Sequence, residues 1–253
     1  MKKLVFQFFF LLLPLLLHAT DVLIVADEQG PMAVMQSDLV SQGHAVTMVD
    51  QAQLPTGLSG YDAVFQYIHG AMTEATSQAL IHYTRQGGRL ILLHHALASA
   101  RMNNPAFLAF AGLHLNPRDH PQTPWKVLGN VIHTVVNLNP SHYISSNQVS
   151  YPQTIRYRCA GPLVVEGDFP AFDLPQTECF LNQQFTDGYE KTVLFGFQTT
   201  DPETGVVIQQ DRSGWLKPAG KGWIIYLQPG HAKADFAHPS FRQIIRNCLT
   251  WEP

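Results

Sequence analysis

Cysteine is scarce: the chain of 253 residues contains three, Cys159, Cys179 and Cys248. So few exclude a disulfide-built scaffold, and an odd number leaves at least one thiol unpaired within a monomer. Charge is scarce as well. Only 14% of residues are charged and the formal net charge is −3, which gives no electrostatic reason to expect nucleic acid as a partner. Phosphate-binding loops are missing: "GLSG" and "PAGKG" lack the P-loop spacing, and the turn after Asp27 has no G-x-G-x-x-G. Nucleotide binding is therefore unsupported. Neither H-E-x-x-H nor C-x-x-C occurs, so the strongest sequence signatures of a metal site are absent too.

One long apolar run is present, in "MKKLVFQFFFLLLPLLLHAT" at the N-terminus. Lys2 and Lys3 precede it and the small Ala19 follows, which is the layout of a secretory signal peptide. The run is short for a membrane span and Pro14 interrupts it. The reading is a signal peptide over residues 1–19, cleavage near Ala19, and a mature domain over 20–253. The protein is then expected to be exported, periplasmic or secreted, with no stable membrane span once the signal is cut. An uncleaved N-terminal anchor is the alternative.

What remains is 45% hydrophobic over the whole chain, with 18 Gly and 17 Pro, the composition of a compact, loop-rich domain with one sizeable core. Aliphatic runs of strand length occur at 21–27, 45–50, 61–70 and 89–95. Helical patterns separate them. "PMAVMQSDLVSQGH" has Pro31 for a first turn and Gly43 for a stop, and "TEATSQALIHYTRQGG" has Thr73 as a cap and Gly87–Gly88 as its end. This alternation predicts an α/β fold, a doubly wound and mostly parallel sheet of flavodoxin-like outline. Helical periodicity vanishes from about 114 to 215, where extra strands and long loops are expected. "GWIIYLQPGH" (222–231) is a further buried strand, and "HPSFRQIIRNCLTWEP" (238–253) a closing helix with Cys248 on its apolar face.

The stretch "YIHGAMTEATSQALIHYTRQGGRLILLHHALAS" resembles the core of the ThuA-like (trehalose-utilisation) family, where a capped helix and a Gly-Gly stop lead into a strand ending in His-Ala. The tail "GKGWIIYLQPGHAKADFAHPSFRQIIRNCLTW" is similar to that family's closing pattern. "DHP" (119–121) and "TECF" (177–180) fall where the family has its His-Pro and acidic-aromatic segments. The resemblance implies the class I glutamine amidotransferase-like fold, in which a cysteine sits on the sharp turn after the fourth of these strands. It places His95, directly before Ala96, at that turn. No cysteine lies nearby, so glutaminase chemistry is not expected. The link to trehalose implies a small, sugar-like ligand.

His95 has three readings: a metal ligand, a general acid or base, or a loop hydrogen-bonding group. Strand alternation sends His94 to the opposite face, where it would pack in the core. His69 and His231 also end strands and complete a rim of three histidines. Asp27 and Glu28 lie near the same rim. His95, His231 and Glu178 are the candidate catalytic residues, and His69, Asp27 and His120 the candidate ligand-binding ones. A divalent metal such as zinc is a candidate cofactor. The rival readings of function are a non-catalytic binding module and a metal-dependent hydrolase. Tyr67, Trp125, Phe180 and Trp215 would either stack on sugar faces or fill the core.

Overall fold

A ten-stranded sheet organises the chain, its strands lying in the order Ala45–Val49, Asp21–Ala26, Ala63–Tyr67, Arg89–Leu93, Gly222–Leu227, Val207–Ala219, Thr192–Thr200, Lys126–Asn137, Val164–Leu181 and Gln153–Ala160. The computed structural model describes residues 19–97, 104–160, 164–187 and 191–253. The apolar run read as a signal peptide lies outside them. Among the described residues no helix is long and apolar enough to cross a membrane.

Half of the sheet is parallel. It comprises β1 (Asp21–Ala26), β2 (Ala45–Val49), β3 (Ala63–Tyr67), β4 (Arg89–Leu93) and β12 (Gly222–Leu227). The inner four of these strands read as largely apolar runs because both their faces are covered, while the edge strand β2 is only partly buried. Val22, Ile24, Phe65 and Ile91 pack on one side with α1 (Gln29–Ser41) and α6 (Pro239–Thr250). Leu23, Val25, Val64 and Leu90 pack on the other with α2 (Glu74–Arg85) and α3 (Pro105–Ala111). The two windings predicted from sequence are therefore present. Thr73 caps α2 by accepting from the Thr76 N–H, and Cys248 is buried on the inner face of α6. Tyr67, Trp125, Phe180 and Trp215 are at most 1% exposed, so they belong to the core and offer no open stacking face.

The irregular middle of the sequence extends the same sheet in antiparallel fashion through β6 (Lys126–Asn137), β7 (Gln153–Ala160), β8 (Val164–Leu181), β10 (Thr192–Thr200) and β11 (Val207–Ala219). β5 (Leu113–His114) and β9 (Gln184–Phe185) form a small separate pair, and α4 (Tyr143–Ser146) and α5 (Lys233–Ala237) are short connections. The β6–β8 register shifts twice, between Leu128 and Val131 and between Val131 and His133. Asn130 and Gln176, both with positive φ, are the extra residues. Such bulges re-aim neighbouring side chains, and Glu178 is two residues past the second.

All three cysteines are buried and none is disulfide-bonded.

Candidate functional site

The strand that begins at Arg89 stops at Leu93, one residue before the paired histidines. His94 has φ +35°, in the left-handed region where a residue with a Cβ is strained, and opens a single 3₁₀ turn over His94–Leu97. This corrects the sequence reading in one respect. Alternation requires extended backbone, and the backbone is no longer extended at His94. The two rings therefore share one site, with centroids 4.4 Å apart. His94, not His95, holds the sharp turn.

His94 Nδ1 donates to the Gln228 carbonyl at 2.6 Å. A carbonyl can only accept, so this nitrogen carries the proton. Nε2 then faces Glu178 Oε2 at 3.4 Å. His231 Nδ1 lies 3.4 Å from the same oxygen. His94, His95, His231 and Glu178 each offer one ligand atom, all mutually within 4.8 Å. A second group, Glu28, His69 and His95, adjoins the first through His95. Glu28 Oε1 is 3.1 Å from His69 Nδ1 and its Oε2 is 3.5 Å from His95 Nδ1. The His69 ring stacks on His95 with centroids 4.3 Å apart. Burial runs from His94, fully enclosed, to His69, 59% exposed, so the centre opens to solvent on the Glu28–His69 side.

The supports are as specific as the cluster. Asp235 Oδ2 accepts from the His231 and Ala232 N–H groups and from the Thr177 hydroxyl. The Tyr67 hydroxyl donates to the His231 carbonyl at 3.1 Å. Gln228, fully buried, accepts from the Phe180 N–H and donates to the Phe180 and Arg212 carbonyls. It thus locks the strand bearing Glu178 against the one leading to His231.

Burial pushes the His95 ring down to about 2, helped by His94, His69 and His231, so it is neutral throughout the working pH range. Burial also lowers His231, against the opposing pull of Glu178. Burial alone would raise Glu178, but the His94, His231 and His69 rings around its carboxylate hold it below its ordinary value. Behind the cluster, burial lowers His133 to about 4. That sets an expected pH dependence. Between the unfolded value of 6.5 and about 4, the unfolded chain takes up a proton that the folded ring refuses, so stability falls as pH drops through this window. At pH 5 the loss from His133 is about 2 kcal/mol. Urea unfolding at pH 7.5 and 5.0 reads it, and the drop shrinks in His133→Gln, which cannot titrate.

Of the residues singled out from sequence, His95, His231 and Glu178 meet, and His69 joins through His95 and Glu28. Asp27 lies at the rim but is occupied, accepting from the His69 and Gly70 N–H groups at 2.8 and 2.7 Å. Its part is to hold the loop that carries His69. His120 does not join the cluster: its Nδ1 accepts from the Thr123 N–H at 3.1 Å within its own loop. Sequence reasoning passes over the roles of His94, Glu28, Gln228 and Asp235. A glutamine closing an apolar strand, as in "IIYLQPGH", is the one signal that points to a buried polar lock. A hollow of about 500 Å³ around Tyr61 and Tyr83 sits beside Asp62 and Gly88 at the other end of the strands, away from this chemistry.

The ThuA family, described as trehalose utilisation, matches residues 21–252. No curated protein matches the chain. A ThuA-like protein from Bacteroides uniformis ATCC 8492 has a TM-score of 0.57 at 16% identity, covering 90% of this chain and 89% of that one. A protein from Thermoplasma acidophilum, described as one component of a GMP synthase, has a TM-score of 0.50 at 11% identity, with 92% and 94% covered. A β-galactosidase from Rahnella sp. R3 shares the fold over 90% of this chain but 30% of its own, with a TM-score of 0.51 at 14% identity. At such identities these likenesses concern the fold alone, and they agree with the amidotransferase-like architecture expected from sequence.

Proposed function

The chain belongs to the ThuA (trehalose utilisation) family, and on that premise we propose that it is an exported protein that binds or transforms a carbohydrate-derived ligand at the C-terminal edge of its parallel strands. His94, His95, His231 and Glu178 would hold a divalent cation of the zinc class there. The observation that carries this is the pairing of His94 Nε2 with Glu178 Oε2. With Nδ1 committed as a donor to the Gln228 carbonyl, Nε2 is the ring nitrogen left facing the carboxylate, where a cation between the two would bind both. The spacing fits: four ligands about 2.1 Å from a zinc-sized ion stand about 3.4 Å apart along the edges of a tetrahedron. The separations from Glu178 Oε2 to His94 and His231 are both 3.4 Å. The Nδ1 atoms of His95 and His231 have no hydrogen-bond partner among the described residues, and each faces a carboxylate, Glu28 and Glu178 respectively.

When bound, the cation would polarise a ligand oxygen or acidify a water. The protein's own share is positioning and proton handling. Glu28 and His69, at the open mouth, can hold or pass a proton beside the buried centre. The turn carries an imidazole where a glutaminase needs a thiol, so a thioester route is closed.

Metal analysis and a thermal-shift screen test this reading. Purified protein dialysed against zinc is expected to retain one ion, and EDTA to lower its melting temperature. A sugar ligand at 100 times its dissociation constant then adds about 2.7 kcal/mol. Protein that retains no metal and ignores EDTA removes the centre. Binding of sugar without turnover leaves the binding-module reading in its place. For export, the mass of the protein from its native host should give an N-terminus near Thr20. An intact Met1 refutes cleavage.

A further inference from the structure

Glu28 stands at the N-cap of α1, yet its side chain makes no capping hydrogen bond. Its carboxylate turns instead to the mouth of the histidine centre and offers one oxygen to each of two rings. Oε1 is 3.1 Å from His69 Nδ1, and Oε2 is 3.5 Å from His95 Nδ1. The approach to His69 is a hydrogen bond. The approach to His95 is not, because that nitrogen has no hydrogen-bond partner among the described residues. A donor–acceptor pair therefore accounts for one ring and leaves the other unexplained.

The arrangement is held by the fold. Asp27 fixes the backbone at His69 and Gly70, and the His69 ring lies nearly parallel to His95, with 18° between their planes. One ligand atom from each of Glu28, His69 and His95 lies within 4.8 Å of the others. Two imidazoles and a carboxylate are a donor set for zinc and similar ions. Access is open on this side, where the Glu28 and His69 side chains are 39% and 59% exposed.

His95 belongs to both sets of ligands. A neutral imidazole has one lone pair, so it serves one ion at a time, and the unpartnered Nδ1 of His95 faces Glu28. We propose that Glu28, His69 and His95 form a second divalent-cation site at the mouth, which fills after the buried one and draws His95 away from it. The outer ion is the weaker, because water around an exposed carboxylate and imidazole screens their attraction for it. Until it arrives, Glu28 and His69 keep their proton chemistry. Once it is bound, the inner ion retains His94, His231 and Glu178, and three protein ligands with one open position is the arrangement of a catalytic zinc. This effect on the buried ion rests on the cation reading proposed above, whereas the mouth site stands on its own distances.

The test is calorimetric titration of zinc into the full chain, freed of metal with EDTA, in the wild type, Glu28→Gln, His69→Gln and Glu178→Gln. The wild type should bind two ions, one tightly and one more weakly. Glu28→Gln and His69→Gln should each weaken the second ion at least about tenfold and spare the first. Both side chains sit at the open mouth, so the melting temperature should hold, and if one variant does not fold the other decides. Glu178→Gln should weaken the tight ion while the weaker one persists, because the mouth keeps all three of its ligands. A wild type that binds one ion, indifferent to Glu28→Gln and His69→Gln, overturns the second site. So does a weaker ion that ignores both variants, which is zinc held adventitiously elsewhere. A single ion weakened alike by Glu28→Gln and Glu178→Gln also overturns it, since the two sets are then one site. A single ion lost in Glu28→Gln and untouched by Glu178→Gln removes the buried centre and keeps the mouth. Absence of any zinc binding removes both.

Discussion

His94→Ala is expected to lose the divalent cation while the fold survives. The ring supplies one of three nitrogens around Glu178, and it is the one whose tautomer is fixed by a backbone carbonyl. Losing a merely supporting partner of a metal ligand costs about 10–100-fold in affinity, so losing this ligand should cost more. The stability loss is smaller. The Gln228 carbonyl is left without its donor, worth about 1–3 kcal/mol. His94→Gly separates ring from backbone. Glycine accepts φ +35° without strain, so it should be about 1 kcal/mol more stable than the alanine variant and bind the cation equally poorly. Zinc titration calorimetry and thermal melts of the two variants supply the comparison. An alanine variant that keeps wild-type zinc affinity while melting lower would reduce His94 to a packing group.

Gln228→Leu should cost more stability than any change of a cation ligand, on the order of 4 kcal/mol. The volumes are similar, so no large cavity opens. What is lost is three buried hydrogen bonds, to the Phe180 N–H, the Phe180 carbonyl and the Arg212 carbonyl. Three backbone groups stay behind with no replacement. Glu178 is two residues from Phe180, so cation affinity should fall with stability, although Gln228's own side chain touches no ligand atom. Gln228→Glu tells packing from bonding: it can still accept from the Phe180 N–H but cannot donate to either carbonyl. Urea unfolding of the three proteins measures the difference. A leucine variant within about 1 kcal/mol of wild type would mean the strands are locked by something else.

The parallel half of the fold is legible because its signals are local. Thr73, Gly87, Pro31 and Pro239 mark helix ends wherever the chain goes, and strands covered on both faces read as plain apolar runs. The same uniformity hides where the strands stop. Residues 61–70, 89–95 and 222–231 each read as one strand, whereas the ladders end at Tyr67, Leu93 and Leu227. Apolar side chains continue past the last hydrogen bond, so composition cannot mark the turn. That is why alternation sends His94 to the wrong face. Glu178 is reachable only through resemblance, because two compensating bulges aim it and bulges leave no periodic trace. His120 shows the opposite failure: a histidine beside a proline meets the pattern, yet its loop closes on itself.

The position of β12 has a consequence for how the chain acquires its shape. The strand joins the parallel and antiparallel halves, lying between β4 and β11, yet it begins only at Gly222. During synthesis every other strand emerges before the one that unites them. Until then β4 and β11 are open edges, and an open edge is a template for pairing with another chain. Contacts so distant in sequence are slow to form. Among the cluster residues, His94 and Glu178 are made early and His231 late, so the complete set exists only once the last strand has entered. Truncation before Gly222 would leave two unjoined half-sheets prone to aggregate. Capture of the cation in a refolding experiment would time the closing of the sheet.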